Sequence, residues 1–183
     1  MEFFSALTEA HRAFVAKQPV FFVATGARDT RINLSPKGMD CFRVLDDHSV
    51  AWLDVSGSGN ETHAHLAADG RITIMFCAFD QPALIFRIYG RGRSVLPQDD
   101  EWAALYARFM PLPGTRQIFV VKIDEVQTSC GYAVPQMELV RPRETLSKLH
   151  AKHSDAERLA KWRDTDATSI DGLPVRWPAA LPR

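Results

Sequence analysis

Two short polar stretches hold the side chains best suited to chemistry in this sequence: Ser35-Pro36-Lys37-Gly38 and Ser56-Gly57-Ser58-Gly59-Asn60-Glu61-Thr62. Each follows an apolar run that reads as a strand, and the second leads into a segment of helical character with Ser58 or Asn60 as its N-cap. Lys37 offers a point charge, Ser35, Ser56, Ser58 and Thr62 offer hydroxyls, and Gly57 and Gly59 allow close approach of backbone N–H groups. Such donors, gathered where strands end and a helix begins, suit an anion, and a phosphate in particular.

Other reactive types group less well. His63-Ala64-His65 resembles a metal pair, but alternate residues at a helix start face different ways and no third ligand accompanies them, so no metal site is expected. His150 and His153 fall on a charged helical stretch, where a solvated face is expected. Cys41, Cys77 and Cys130 are odd in number, far apart and without a C-x-x-C pair, which argues for reduced thiols. Trp52, Trp102 and Trp162 occupy amphipathic positions and read as core. No side chain stands out as a catalytic acid or base, and the catalytic residues stay unassigned.

The chain that must position the two polar stretches has 183 residues, enough for one domain with a substantial core and short for two, so residues 1–183 are read as a single domain. Lysine plus arginine equals aspartate plus glutamate at 22 each, which leaves no net field to attract nucleic acid or a membrane surface. Any basic site must be local. No apolar run approaches the roughly 20 residues of a membrane span, and no secretory signal is evident, so the expected location is the cytoplasm.

Residues 2–17 predict a first helix, with Phe3, Phe4, Leu7, Phe14 and Val15 at helical spacing and Pro19 beyond its end. Residues 20–24, 31–34, 41–45, 50–55, 71–79, 83–95 and 117–126 read as strands, and Gly90 with Gly92 marks a bend or bulge in the longest. Pro36 and Gly38 are expected to stop the second strand. Residues 60–68, 99–109 and 143–166 read as helices, 127–135 as an irregular segment, and 169–175 as a turn-rich tail. Six or seven strands at hairpin spacing with bracketing helices favour a mainly β, antiparallel barrel with peripheral helices, and the absence of a G-x-G-x-x-G turn disfavours a Rossmann arrangement.

Four segments in order give the sequence a resemblance: Asn33-Leu34-Ser35-Pro36-Lys37-Gly38, the Trp52-Leu53-Asp54 strand with its Gly-Asn-Glu-Thr loop, Ser129-Cys130-Gly131-Tyr132-Ala133-Val134-Pro135, and Ser169-Ile170-Asp171-Gly172-Leu173-Pro174. Together they resemble the pyridoxamine 5'-phosphate oxidase-like, FMN-binding split-barrel family, in its branch of short, little-characterised members. The resemblance implies a homodimer of six-stranded antiparallel split β-barrels with FMN in a groove between subunits. It implies Asn33, Ser35, Lys37, Ser58, Asn60 and Thr62 at the cofactor. Where the oxidases carry Ser-Arg-Lys at the phosphate, this chain has Asn60-Glu61-Thr62, so Lys37, Arg31 or an arginine from the partner subunit is expected to compensate. Ser129, Cys130 and Gly131 are expected beside the isoalloxazine ring, with a buried barrel corner as the alternative. The position of a flavin-contacting glutamine in the oxidases is taken by Ile85, and no basic, aromatic C-terminal substrate segment is evident. The function implied is an FMN-dependent oxidoreductase acting on an unidentified small molecule or electron donor, with a non-catalytic flavin- or haem-binding module as the alternative.

Overall fold

The computed structural model describes residues 1–165 and 167–181. The apolar runs of the sequence form eight strands in a single antiparallel sheet. They are β1 (Glu2–Phe4), β2 (Phe21–Thr25), β3 (Asn33–Lys37), β4 (Phe42–Asp46), β5 (Ser49–Val55), β6 (Arg71–Cys77), β7 (Leu84–Val95) and β8 (Thr115–Cys130). The strand order is β3-β2-β6-β7-β8-β5-β4, with β1 sharing an edge of β8 with β5. The sheet stays open between its end strands β3 and β4, which residues 38–41 join directly. Met39 and Asp40 in that link have φ of 70° and 51°, the left-handed region that costs a non-glycine residue conformational energy.

Alternation along the strands turns one face inward, where Trp52, Phe76, Phe86, Phe119, Ile74 and Ile88 are fully buried, while Ile118, next to Phe119 on β8, is buried on the opposite face. Five helices surround the sheet: α1 (Glu9–Lys17), α2 (Glu61–Ala68), α3 (Trp102–Tyr106), α4 (Thr145–Ala151) and α5 (Asp155–Thr165). The bulge expected in the longest hairpin lies between Tyr89 and Gly90, where a Cβ would come within 2.2 Å of the Lys122 carbonyl oxygen. Among the described residues, no helix is long and apolar enough to cross a membrane.

The mainly β class and antiparallel topology match the expectation, while several boundaries move. The sheet has eight strands rather than six. The expected 2–17 helix begins only at Glu9, because Thr8 Oγ1 accepts the His11 N–H while His11 Nδ1 accepts the Thr8 N–H. Residues 2–4 instead add a strand to the edge of β8. β3 continues through Pro36 as an end strand, where a residue lacking N–H is tolerated. β8 runs on to Cys130 because the start of β7 supplies its partner there, so residues 127–130 are strand and not irregular. The 143–166 helix is two helices, since Ser154 and Glu157 form a reciprocal cap that starts α5 anew; Asp166 lies outside the described residues. The 99–109 helix shortens to α3, flanked by turns.

Candidate functional site

β3, the end of β5, the head of α2 and the start of β8 meet around a cleft of about 340 Å³. Alternation on β3 turns Asn33, Ser35 and Lys37 to the cleft side. Ser58, Asn60, Glu61 and Thr62 enter from the loop and first turn of α2, Asp54 from β5, Arg116 from β8 and Leu146 from α4. The first N–H groups of α2 have no partner within the helix and carry its positive end, which favours an anion.

Asp54 is the electrostatic centre of the cleft. Its Oδ2 accepts from Arg116 Nε at 2.7 Å and Gln117 Nε2 at 2.8 Å, and Lys37 Nζ lies 3.7 Å from its Oδ1. Burial alone would push its carboxyl pKa up, but Arg116 and Lys37 outweigh that and hold it below the usual carboxylate value. Arg116 also donates through Nη2 to the Gly59 carbonyl at 2.8 Å and lies 5.9 Å over the Trp177 ring. Its Nη1 is buried with no acceptor.

A chain of hydrogen bonds behind the cleft fixes which way its amides face. The Arg176 N–H can only donate, and it does so to His63 Nε2 at 3.0 Å. His63 Nδ1–H therefore donates to Gln117 Oε1 at 2.8 Å, and burial lowers the pKa of this neutral imidazole. The Gln117 amide then donates to Asp54 and to Asn60 Oδ1, the latter at 2.7 Å. Asn60 is left with its Nδ2 buried and unpartnered, so it presents a donor. On the β3 side, Ser35 Oγ donates to Asn33 Oδ1 at 3.2 Å and Asn33 Nδ2 to Thr62 Oγ1 at 3.3 Å, which leaves the Thr62 hydroxyl hydrogen free to face a ligand.

Six of the sequence-predicted residues, Asn33, Ser35, Lys37, Ser58, Asn60 and Thr62, thus line one cleft. Ser129, Cys130 and Gly131 do not. They lie at the far end of β8, 13 residues beyond Gln117, which is roughly 40 Å of strand. Gly131 does allow a close approach, but to the chain at Ala83–Leu84, whose backbone a Cβ would meet at 3.1 Å. Arg31 is engaged elsewhere, with Asp171 at 2.7 Å. His63 and His65 are both fully buried, and no cluster of three metal-ligating side chains exists among the described residues.

Asp54, Arg116, Gln117 and His63 escape the sequence reading as site residues. The signal for Arg116 was three polar residues in a row, Thr115-Arg116-Gln117, directly before the apolar run Ile118–Val121; all three are buried. A second cavity of about 350 Å³, lined by Val15, Phe21, Phe42 and Phe76 among others, shares Gly38 and Cys41 with the cleft. Burial, then the charge of Asp54, push the Cys41 thiol up to about 12, so it stays protonated.

Comparison with known proteins adds an independent line. A family model described as pyridoxamine 5'-phosphate oxidase matches residues 7–130. The pyridoxamine 5'-phosphate oxidase family protein ustO of Aspergillus flavus is 40% identical over 192 residues, covering 94% of this chain and 76% of its own. Among solved structures, HupZ of Group A Streptococcus is similar with a TM-score of 0.53 and 17% identity, over 72% of this chain and 99% of its own. A candidate pyridoxamine 5'-phosphate oxidase from Lactobacillus delbrueckii gives 0.54 and 18%, over 68% and 95%. At such identities the two structures speak to the fold. The family match takes in every strand but β1 and all of the cleft except Leu146. On that match and the 40% relative together, the chain belongs to the pyridoxamine 5'-phosphate oxidase family.

Proposed function

We infer that the cleft holds the phosphate of FMN and that the protein is an FMN-dependent oxidoreductase acting on a small organic molecule. The observation that carries this reading is the set of unsatisfied donors in one buried place: Arg116 Nη1 and Asn60 Nδ2, both without an acceptor, beside Lys37 and the N-terminus of α2. Arg116 answers the missing basic residues at Glu61 and Thr62, because it brings a buried guanidinium to the same place from β8. Lys37, Arg116, Asn60, Ser58 and Thr62 would hold the phosphate, and the flavin would supply hydride and electron transfer. The adjoining apolar cavity suits a ring or an apolar substrate.

A homodimer is part of this reading. Ile32 and Leu34, beside the cleft residues of β3, are 80% and 66% exposed, and a second subunit would cover them and wall the open side. Ser129, Cys130 and Gly131 can border the flavin ring only from that second subunit. The haem alternative has less support, since no histidine lines the cleft among the described residues.

The absorption spectrum of the purified protein, before and after addition of FMN and removal of excess, tests the reading. A retained flavin spectrum at about one per chain is expected. A retained haem spectrum, or no retained chromophore at micromolar protein, would overturn it.

A further inference from the structure

We propose that Glu61 recognises a hydroxyl of the ligand, so that the group bound at the head of α2 is a phosphate ester of a polyol chain and not an alkyl phosphate. The proposal rests on the phosphate reading above and names a specificity-determining residue for it.

Three residues that line the cleft each carry a buried polar atom without a partner: Asn60 Nδ2, Arg116 Nη1 and Glu61 Oε2. The first two are donors and are matched by phosphate oxygens. Glu61 Oε2 is an acceptor, and a phosphate dianion, which only accepts, cannot satisfy it. Its twin, Oε1, accepts the Ile170 N–H at 3.0 Å, which anchors the carboxylate to the C-terminal segment and keeps it from swinging out to water. No cation pairs with the Glu61 carboxylate among the described residues: Arg116 and, at 3.7 Å, Lys37 lie against Asp54, and Arg31 pairs with Asp171.

A carboxylate oxygen shielded from water and left unmatched is costly, and a phosphate beside it adds repulsion unless a proton lies between them. A hydroxyl on the carbon chain next to the ester supplies that proton. It donates to Oε2 and still offers lone pairs to the donors opposite. An alkyl chain offers nothing, and an ammonium would share the cleft with the cations Lys37 and Arg116.

The test needs no flavin. The 15N-labelled protein is titrated with ribitol 5-phosphate, pentyl phosphate and phosphoethanolamine, following the backbone amides of Asn60 and Thr62. The expected result is binding of ribitol 5-phosphate about tenfold or more tighter than pentyl phosphate, with phosphoethanolamine no better than the alkyl ester. In Glu61→Gln, which keeps an oxygen for Ile170 and turns an amide N–H₂ toward the ligand, that ratio should fall to near one. Equal binding of the first two probes by the native protein would overturn the proposal without recourse to any variant. So would a preference for phosphoethanolamine, no binding by any probe, or a ratio that survives Glu61→Gln in a variant with a native spectrum. Discrimination among these probes by a protein that does not retain FMN would sink the flavin reading and leave the role of Glu61 standing.

Discussion

Asp54 is held ionised in a fully buried place by two cations that reach it from different strands. That arrangement divides their tasks. Arg116 is 4% exposed and tied to Gly59 as well, whereas Lys37 has a partly exposed side chain and a longer, 3.7 Å contact. Lys37 is thus the cation free to turn to an incoming phosphate. Lys37→Ala should weaken FMN by about tenfold to a hundredfold, the worth of one charged hydrogen bond, and should weaken riboflavin, which has no phosphate, less than about twofold. Equal losses in fluorescence titrations of the two flavins would put Lys37 away from the phosphate. Lys37 was legible in the sequence because it sits in a turn-like motif with Ser35 and Gly38. Arg116 was marked only by its place in the polar run Thr115-Arg116-Gln117 at the head of β8, and such a run does not say what it will face. Only the pairing of Asp54 with Gln117 across β5 and β8 brings it to the cleft.

Among the elements, α4 is anchored through His150. His150 is buried and lies 2.8 Å by Nε2 from the Ser56 carbonyl oxygen, and its ring packs on Gly114, where φ is 85° and a Cβ would come within 2.3 Å of the imidazole. Gly114→Ala should therefore both strain the backbone and displace His150, releasing α4 and with it Leu146 from the cleft. The expected outcome is faster proteolysis within residues 143–165 and a melting temperature lowered by several degrees. Cleavage at the native rate would show that α4 is held by other contacts. The same histidine, placed by sequence on a solvated face, shows where local reading stops: whether a helical residue is inward or outward depends on what it meets, here a turn far away in the chain. The break between α4 and α5 is a different kind of miss. Ser154-Asp155-Ala156-Glu157 is a capping pattern present in the sequence itself.

At the scale of the molecule, burial lowers the pKa of His11, His63 and His150 from an ordinary value of 6.5. The unfolded chain takes up protons as pH falls through 6.5 while the folded chain resists, so stability should be full above about pH 7 and decline toward pH 5. Melting temperatures across that range would check the sign, and a flat or opposite trend would contradict it. The carboxylates with lowered values, Asp54 among them, matter only below that window, since their ordinary value is 3.8 for the aspartates and 4.5 for Glu157. Cys130 is the exposed thiol of the three, with Cys41 and Cys77 buried. A thiol reagent should reach it first, and on the proposed homodimer saturating FMN should slow the reaction. An unchanged rate with FMN bound would remove residues 129–131 from the site. The pairing of β1 with β8 sets the order in which this chain can be finished as it is made. Glu2, Phe3 and Phe4 precede every other strand, yet their partners Thr128, Gln127 and Val126 are translated only after most of the sheet, and the cleft waits longer still, for Ile170 and Arg176. A nascent chain can thus assemble its barrel while the cleft remains incomplete, and full ligand binding becomes possible only once residues 170–176 have been made.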